Sequence, residues 1–307
     1  MTRTRTRTRT RRSLLSRLAP PVIAVVGGQG EFASPARTMG GAHRRVVRPG
    51  AFAPPPLLRG VRVTARVASG WHVYEVAPTG PASRRRALYA HGGGWTHEIS
   101  PFHWWLVAGL ARRTGTTFTV PIYPLVPSAT AAEVVARTAD LAEALVAEVG
   151  PGSVTLMGDS AGGQIALSTA MVLRDRGVPA PRDVVLLSPA LDLSFTDPLI
   201  ARIQPTDPWL AVDGMRAAVE SWRGDLPVED PRVSPLHGSL AGLGRVTVFS
   251  GTHDILFADA RAFERKAAAV GHPVRIHVEP NLLHVYALMP IPEGARARDA
   301  MVELLLA

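Results

Sequence analysis

Cysteine is absent from all 307 residues. That excludes disulfides, thiolate metal sites and a cysteine nucleophile, and it fits a reducing compartment. No run of 18 apolar residues occurs, so the sequence offers no helix for membrane insertion. Lysine is almost missing: Lys266 stands alone and arginine supplies the other basic charge. Acid is scarce at one end. Residues 1–50 hold eleven arginines against the single acid Glu31, a net +10 in a chain of +9, so the remainder is close to neutral. This excludes a basic body that grips nucleic acid. No repeat of 20–50 residues is present.

What is there begins with a Thr-Arg dipeptide repeat from Thr2 to Thr10, which has nothing apolar to bury and predicts a disordered basic tail over 1–12. Thr10-Arg11-Arg12-Ser13-Leu14-Leu15 resembles the start of a twin-arginine export signal. Arg17 and Pro20-Pro21 interrupt the apolar stretch, however, and no A-x-A cleavage site follows. The reading adopted is a cytoplasmic protein with a flexible basic tail and a short amphipathic helix, with export as the alternative. The tail can touch an anionic membrane but lacks the apolar face of an anchor.

The body alternates strand and helix. Val61–Val67 and His72–Val76 read as a hairpin turning near Ser69-Gly70, and Ala87–Ala90 as a short buried strand. Helical spacing follows over Phe102–Arg113, strand composition over Thr117–Ile122, and good helix formers over Ala131–Val149, ended by Gly150-Pro151. Val154–Met157 precedes a helix over Ala161–Arg176. Val184–Leu187, Val246–Phe249 and Val274–Val278 are further strands, with helices at Phe257–Val270 and Ala295–Leu306. This alternation predicts an α/β fold with a mostly parallel sheet flanked by helices. The Pro- and Asp-rich residues 195–240, with a helix near Trp209–Trp222, break the rhythm. They read as a lid inserted at the carboxyl edge of the sheet, joined by an N-terminal cap segment over 13–50; the catalytic domain is then 51–307.

Two glycine-rich segments carry the chemistry. His91-Gly92-Gly93-Gly94-Trp95 offers backbone N–H groups, and Gly158-Asp159-Ser160-Ala161-Gly162-Gly163 presents a serine between a strand and a helix. A G-x-S-x-G match alone arises by chance roughly 0.1 times in such a chain, so the order of the two segments matters more than either. Ser160 needs a base to become a nucleophile, and Gly158 and Gly162 stand where side chains would collide across a sharp turn. Gly93, Gly94 and Ala161 are the expected oxyanion donors. His91 is expected to anchor the loop.

Ten histidines compete for the role of base. After a serine on such a turn, the acid and then the histidine follow in chain order. His284, after the last strand, fits; His277 lies inside that strand and His272 precedes it. Asp254, just past Val246–Phe249, is the expected acid, ahead of Asp259, Asp192 and Glu279. His253 beside it is expected to be structural. Trp95, Phe102, Trp104, Trp105, Trp209 and Trp222 are candidates for an acyl pocket, although large aromatics at helical spacing more often belong to a core.

The chain resembles the bacterial hormone-sensitive-lipase family, or family IV esterases, of the α/β-hydrolase fold. The matching pieces are HGGGW, Tyr123-Pro-Leu-Val-Pro127, GDSAGG, Asp230-Pro-Arg-Val-Ser-Pro235, Gly251-Thr-His-Asp254 and His284. The resemblance implies an eight-stranded, mostly parallel sheet with a cap, and a Ser160–Asp254–His284 triad. It also implies hydrolysis of small to medium acyl esters without metal or organic cofactor. Departures exist: Pro124, Val126 and Ser128 replace the usual Arg, Ala and Glu, and Gln164 stands where Asn is common. They bear on substrate preference. An amidase, arylformamidase-like or lactone hydrolase is the alternative enzyme. A non-catalytic binding protein of this fold is a third reading, against which stands the retained histidine. The partner expected is a small-molecule ester, with a homodimer left open.

Overall fold

The computed structural model describes residues 12–18, 30–68 and 70–307. The expectations for the Thr-Arg tail, for Arg11 and for the apolar residues 22–26 lie outside the described residues, as does Ser69 of the hairpin turn.

Eight strands form one sheet: β1 (Val61–Ala68), β2 (Trp71–Pro78), β3 (Arg86–Ala90), β4 (Thr117–Ile122), β5 (Val154–Asp159), β6 (Asp183–Leu187), β7 (Arg245–His253) and β8 (Val274–Leu283). Their spatial order is β1-β2-β4-β3-β5-β6-β7-β8. The first two pairings are antiparallel and all others parallel. The central strands β5 and β6 are buried along their whole length, as a parallel sheet covered on both faces requires. Edge strand β1 alternates partly buried and exposed residues at its start.

Helices α2 (Pro101–Thr114) and α8 (Pro292–Leu306) cover one face; α3 (Ala131–Val149), α4 (Ala161–Asp175) and α7 (Phe257–Ala269) cover the other. Local chemistry sets their ends. Thr130 and Glu133 form a capping box at the start of α3, and Gly115 closes α2 in the left-handed region at φ 73°.

A third apolar cluster lies at the carboxyl edge of the sheet, where helix α1 (Pro35–Val47) packs against α6 (Val212–Arg223). Gly214 of α6 permits the approach: its N–H donates to the Phe32 carbonyl at 3.1 Å, and a Cβ there would fall 2.2 Å from that oxygen. Phe32 and Met215 are buried in this cluster, and burial of each contributes about 1.5–3 kcal/mol. Helix α1 and the short α5 (Pro198–Ile203) extend the sequence reading. So does the start of α6, at Val212 rather than Trp209. The Asp207 carboxylate takes the N–H groups of Trp209 and Leu210 into a turn before the helix can begin.

Residues 14–18 form a helical turn held to the body through Glu293 at the start of α8. Ser13 donates to Glu293 from both its N–H (2.7 Å) and its hydroxyl (2.9 Å), and the Ser16 hydroxyl adds a third bond. Among the described residues, no helix is long and apolar enough to cross a membrane.

Candidate active site

Strand β5 ends at Asp159 and α4 begins at Ala161, so Ser160 alone makes the turn, at φ 52°, ψ −121°. A non-glycine residue there costs of order 1–3 kcal/mol and is held only by its surroundings. The turn closes because no side chain obstructs it. A Cβ on Gly158 would lie 2.1 Å from the Gly162 carbonyl oxygen, and one on Gly162 would lie 2.0 Å from that of Ala90. Ser160 occupies the N-cap position of α4 but makes no side-chain cap bond, which leaves its hydroxyl for another partner.

That partner is His284. Ser160 Oγ lies 2.9 Å from His284 Nε2, and His284 Nδ1 lies 2.9 Å from Asp254 Oδ2. All three side chains are buried; His284 is 4% exposed. With Nδ1–H donating to the carboxylate, Nε2 is the free acceptor for the serine hydroxyl. Burial favours the neutral ring. The charge and hydrogen bond of Asp254, helped by Asp207 and Asp159, outweigh burial and raise the pKa of His284. His284 reaches this place through a slip in strand pairing: Gly251 faces Glu279 but His253 faces Leu283, so β8 carries two extra residues there. Asn281 sits in the slip at φ 59°, its N–H bonded to Thr252 Oγ1 at 2.7 Å.

The glycine loop runs beside Ser160, and three of its neighbouring carbonyls are engaged. The Gly92 carbonyl accepts from His91 Nδ1 (2.7 Å) and that of Gly93 from Thr96 and His97 N–H (both 3.1 Å). The Ser160 carbonyl accepts from Gly163, Gln164 and Ala190 N–H. In a trans peptide the N–H points opposite to the C=O of the same unit. The N–H groups of Gly93, Gly94 and Ala161 therefore point away from those interactions. Gly93 and Gly94 have φ of 124° and 58°, conformations that L side chains resist.

Asp159 ties loop and turn together. Its Oδ1 accepts from Gly92 N–H (2.9 Å) and Tyr89 Oη–H (2.6 Å), and His103 Nε2 lies 3.2 Å from Oδ2. Burial alone would raise its pKa; His103 foremost, then Tyr89 and His91, bring it below the ordinary value. His91 stacks on Tyr123 (4.4 Å, 16°), and the Tyr123 hydroxyl donates to the His91 carbonyl at 2.7 Å. Burial holds the His91 pKa down to about 4, so it is a neutral spacer.

The competing residues fall elsewhere. Asp259 Oδ2 accepts from Leu191 and Asp192 N–H, and burial pushes its pKa up to about 8. Asp192 lies 3.4 Å from His237, and Glu279 3.8 Å from Arg296. His277 stacks on Phe249 at 4.4 Å, and burial lowers it to about 4. Of the six aromatic candidates, only Trp209 touches this triad of side chains, edge-on to His284 at 6.2 Å. Trp95 and Trp222 stack on each other in the core, Trp104 is buried, and Phe102 and Trp105 are 44% and 54% exposed.

Three features escaped the sequence reading. Gln164 Oε1 accepts both the Trp95 and Trp222 indole N–H groups. Glu31 binds Arg45 through both oxygens and also meets His97 Nε2 at 2.8 Å, linking the N-terminal segment to the Gly93 loop. Asp207 bridges to the segment after Asp254. Among the described residues, no group of three or more His, Cys, Asp or Glu is placed to hold a metal.

A family model described as alpha/beta hydrolase fold matches residues 87–288. The chain is 36% identical over 240 residues to a triacylglycerol lipase of Mycobacterium tuberculosis, a match covering 77% of this chain but 50% of that protein. It thus spans half the length of that relative. It is 32% identical over 217 residues to an acetyl-hydrolase of Streptomyces hygroscopicus, covering 69% of this chain and 72% of the other. A crystal structure of an esterase from the bacterial hormone-sensitive lipase family superposes with a TM-score of 0.77 at 25% identity, over 89% of this chain and 97% of that one.

Proposed function

This chain belongs to the alpha/beta hydrolase fold family, in its hormone-sensitive-lipase-like branch, and from that premise we propose that it is a serine carboxylic ester hydrolase acting on small to medium acyl esters. The observation that carries the proposal is the pair of 2.9 Å contacts from Ser160 to His284 and from His284 to Asp254.

In this reading His284 Nε2 takes the hydroxyl proton as Ser160 Oγ attacks the acyl carbon. Asp254 holds the ring with Nδ1 protonated and stabilises the imidazolium that forms. The oxyanion is received by the N–H groups of Gly93, Gly94 and Ala161, the last at the positive end of α4. The imidazolium returns its proton to the leaving alcohol. Water, deprotonated by the same histidine, then attacks the acyl-serine and regenerates Ser160. Every step uses this chain's own groups and water.

The proposal also assigns as a cap the N-terminal segment expected at 13–50, of which 19–29 lie outside the described residues, together with about 195–240. Phe32 and Met215 support this, since a Cβ on Gly94 would meet the Phe32 ring at 2.9 Å and Met215 Sδ at 3.7 Å. A cap this near the oxyanion loop limits the acyl group to what fits beneath it. A cytoplasmic setting, argued from the cysteine-free composition, completes the reading.

The test is hydrolysis of a p-nitrophenyl ester chain-length series, with Ser160→Ala alongside. Turnover that peaks at one chain length and vanishes in the variant is expected. Turnover no greater than that of the variant overturns the esterase reading and directs the search to amides and lactones.

A further inference from the structure

The lid carries a second buried carboxylate beside Asp254. Asp207, 2% exposed, lies between α5 and α6. Its Oδ1 accepts from the N–H groups of Trp209 (2.8 Å) and Leu210 (3.0 Å). Its Oδ2 accepts from the N–H of Ile255 at 2.9 Å. Ile255 follows Asp254 directly, and Asp254 Oδ1 accepts from Leu256 N–H at 2.9 Å. One side chain therefore joins the lid segment that carries the Trp209 ring to the loop that carries Asp254. The Trp209 ring stands edge-on to His284 at 84°.

We propose that Asp207 is a positioning residue for the reaction: it holds Trp209 against His284, and its charge beside Asp254 strengthens Nε2 as a base toward Ser160. This rests on the serine-hydrolase reading above.

The charges around the ring fit. His284 is faced by Asp254 from the β7–α7 loop, by Asp207 from the lid and by Asp159 from the end of β5, and each favours the protonated ring. Asp207 itself is faced by Asp254 and His284. Burial first and Asp254 second push its pKa up to about 6, while the N–H groups of Leu210 and Ile255 and the charge of His284 oppose the rise. A brace alone does not require ionisation. Three N–H donors converging on one buried side chain are a binding site for an anion.

The experiment has two arms. In the first, kcat/KM for a short p-nitrophenyl ester is followed against pH in Asp207→Asn and Asp207→Glu. Asparagine keeps an acceptor for the turn but removes the charge. The acid limb is expected to move down by roughly one pH unit, with kcat lower by roughly three- to tenfold and KM little changed; glutamate restores the limb. A loss of activity that follows the melting temperature while the limb stays in place overturns the proposal. In the second arm, the His284 imidazole is titrated by NMR in Ser160→Ala with Asp207 intact and with Asp207→Asn or Asp207→Ser. A midpoint lower by roughly one pH unit in whichever neutral variant folds is expected, and a midpoint unchanged there overturns the proposal. Because this readout needs no turnover, failure of ester hydrolysis and failure of the Asp207 coupling are separately visible.

Discussion

The indole N–H of Trp222, on helix α6, donates to the side-chain oxygen of Gln164, on helix α4 just after Ser160, at 3.1 Å. The same oxygen accepts from Trp95 at 3.2 Å, and the two indoles stack 5.5 Å apart. Gln164 completes its inventory by donating to Ser168 Oγ and the Arg232 carbonyl. Four segments meet at one amide.

Gln164→Leu should leave two buried indole donors unpaired, each costing roughly 1–3 kcal/mol. The expected result is a loss of about 2–6 kcal/mol in urea unfolding, with ester turnover reduced because Trp95 belongs to the glycine loop. An unchanged unfolding midpoint would show that the indoles find other acceptors.

The raised pKa of His284 sets two opposite pH dependences. In the proposed mechanism the neutral ring is the base, so kcat/KM should rise with pH through a midpoint above about 6.5, the ordinary histidine value. The protonated ring is the form that the fold favours. Its contribution to stability is complete below about 6.5 and is lost as pH rises through the folded value. His284→Gln should therefore destabilise more at pH 6 than at pH 9 in parallel denaturation curves.

Glu31 should behave in the other sense. Burial alone would raise its pKa, but hydrogen bonds from Arg45 and His97 and their charges hold it at about 2. Its contribution is present above about 4.5 and lost as pH falls through about 2. The site is partly solvated, so Glu31→Gln is expected to cost only about 1 kcal/mol at pH 7. Through His97 and the Gly93 carbonyl it should also lower kcat. Equal stability of the two proteins at pH 7 would mean the ion pair is screened out.

Two glycine-to-alanine changes should diverge. Gly94 has φ 58° and the Phe32 ring in the way, so Gly94→Ala costs about 1–2 kcal/mol of backbone strain. It should also cost about 10²–10³ in kcat if the N–H is turned off target. Gly109 lies inside α2 with nothing within 4 Å of a Cβ. Gly109→Ala should stabilise by about 0.5–1 kcal/mol and leave kcat alone. Thermal melts and ester assays on the pair distinguish the two effects.

The glycines and Ser160 were legible in sequence because their requirement is local. A turn that admits no Cβ at Gly158 or Gly162 leaves its mark in the residue itself. Asp254 and His284 were legible as candidates because strand order places them at the same edge as Ser160. Helix α1 was missed although Ser34 and Pro35 mark its start; Gly40 and Gly41 within it hide the pattern, and Gly41 is there because the Glu31 carboxylate occupies the space a Cβ would need. Asp207 and Gln164 were illegible for a different reason. Their partners lie 48 and 58 residues away, at Ile255 and Trp222, and no spacing rule spans such distances. The tryptophans show the same limit: composition could not tell the buried Trp95 from Trp209, which stands against His284.

The slip in pairing between β7 and β8 also bears on heredity. It adds two residues, an even number, so side chains before and after it keep their faces. Loss of the two codons for Pro280 and Asn281 would preserve the in-and-out alternation of β8 while drawing the imidazole back by about 7 Å. On the proposed mechanism, a small in-frame deletion is enough to silence the chemistry while sparing the sheet. A lineage could shed the activity and keep the fold, and the number of residues between Glu279 and His284 is the place in a gene to look for it.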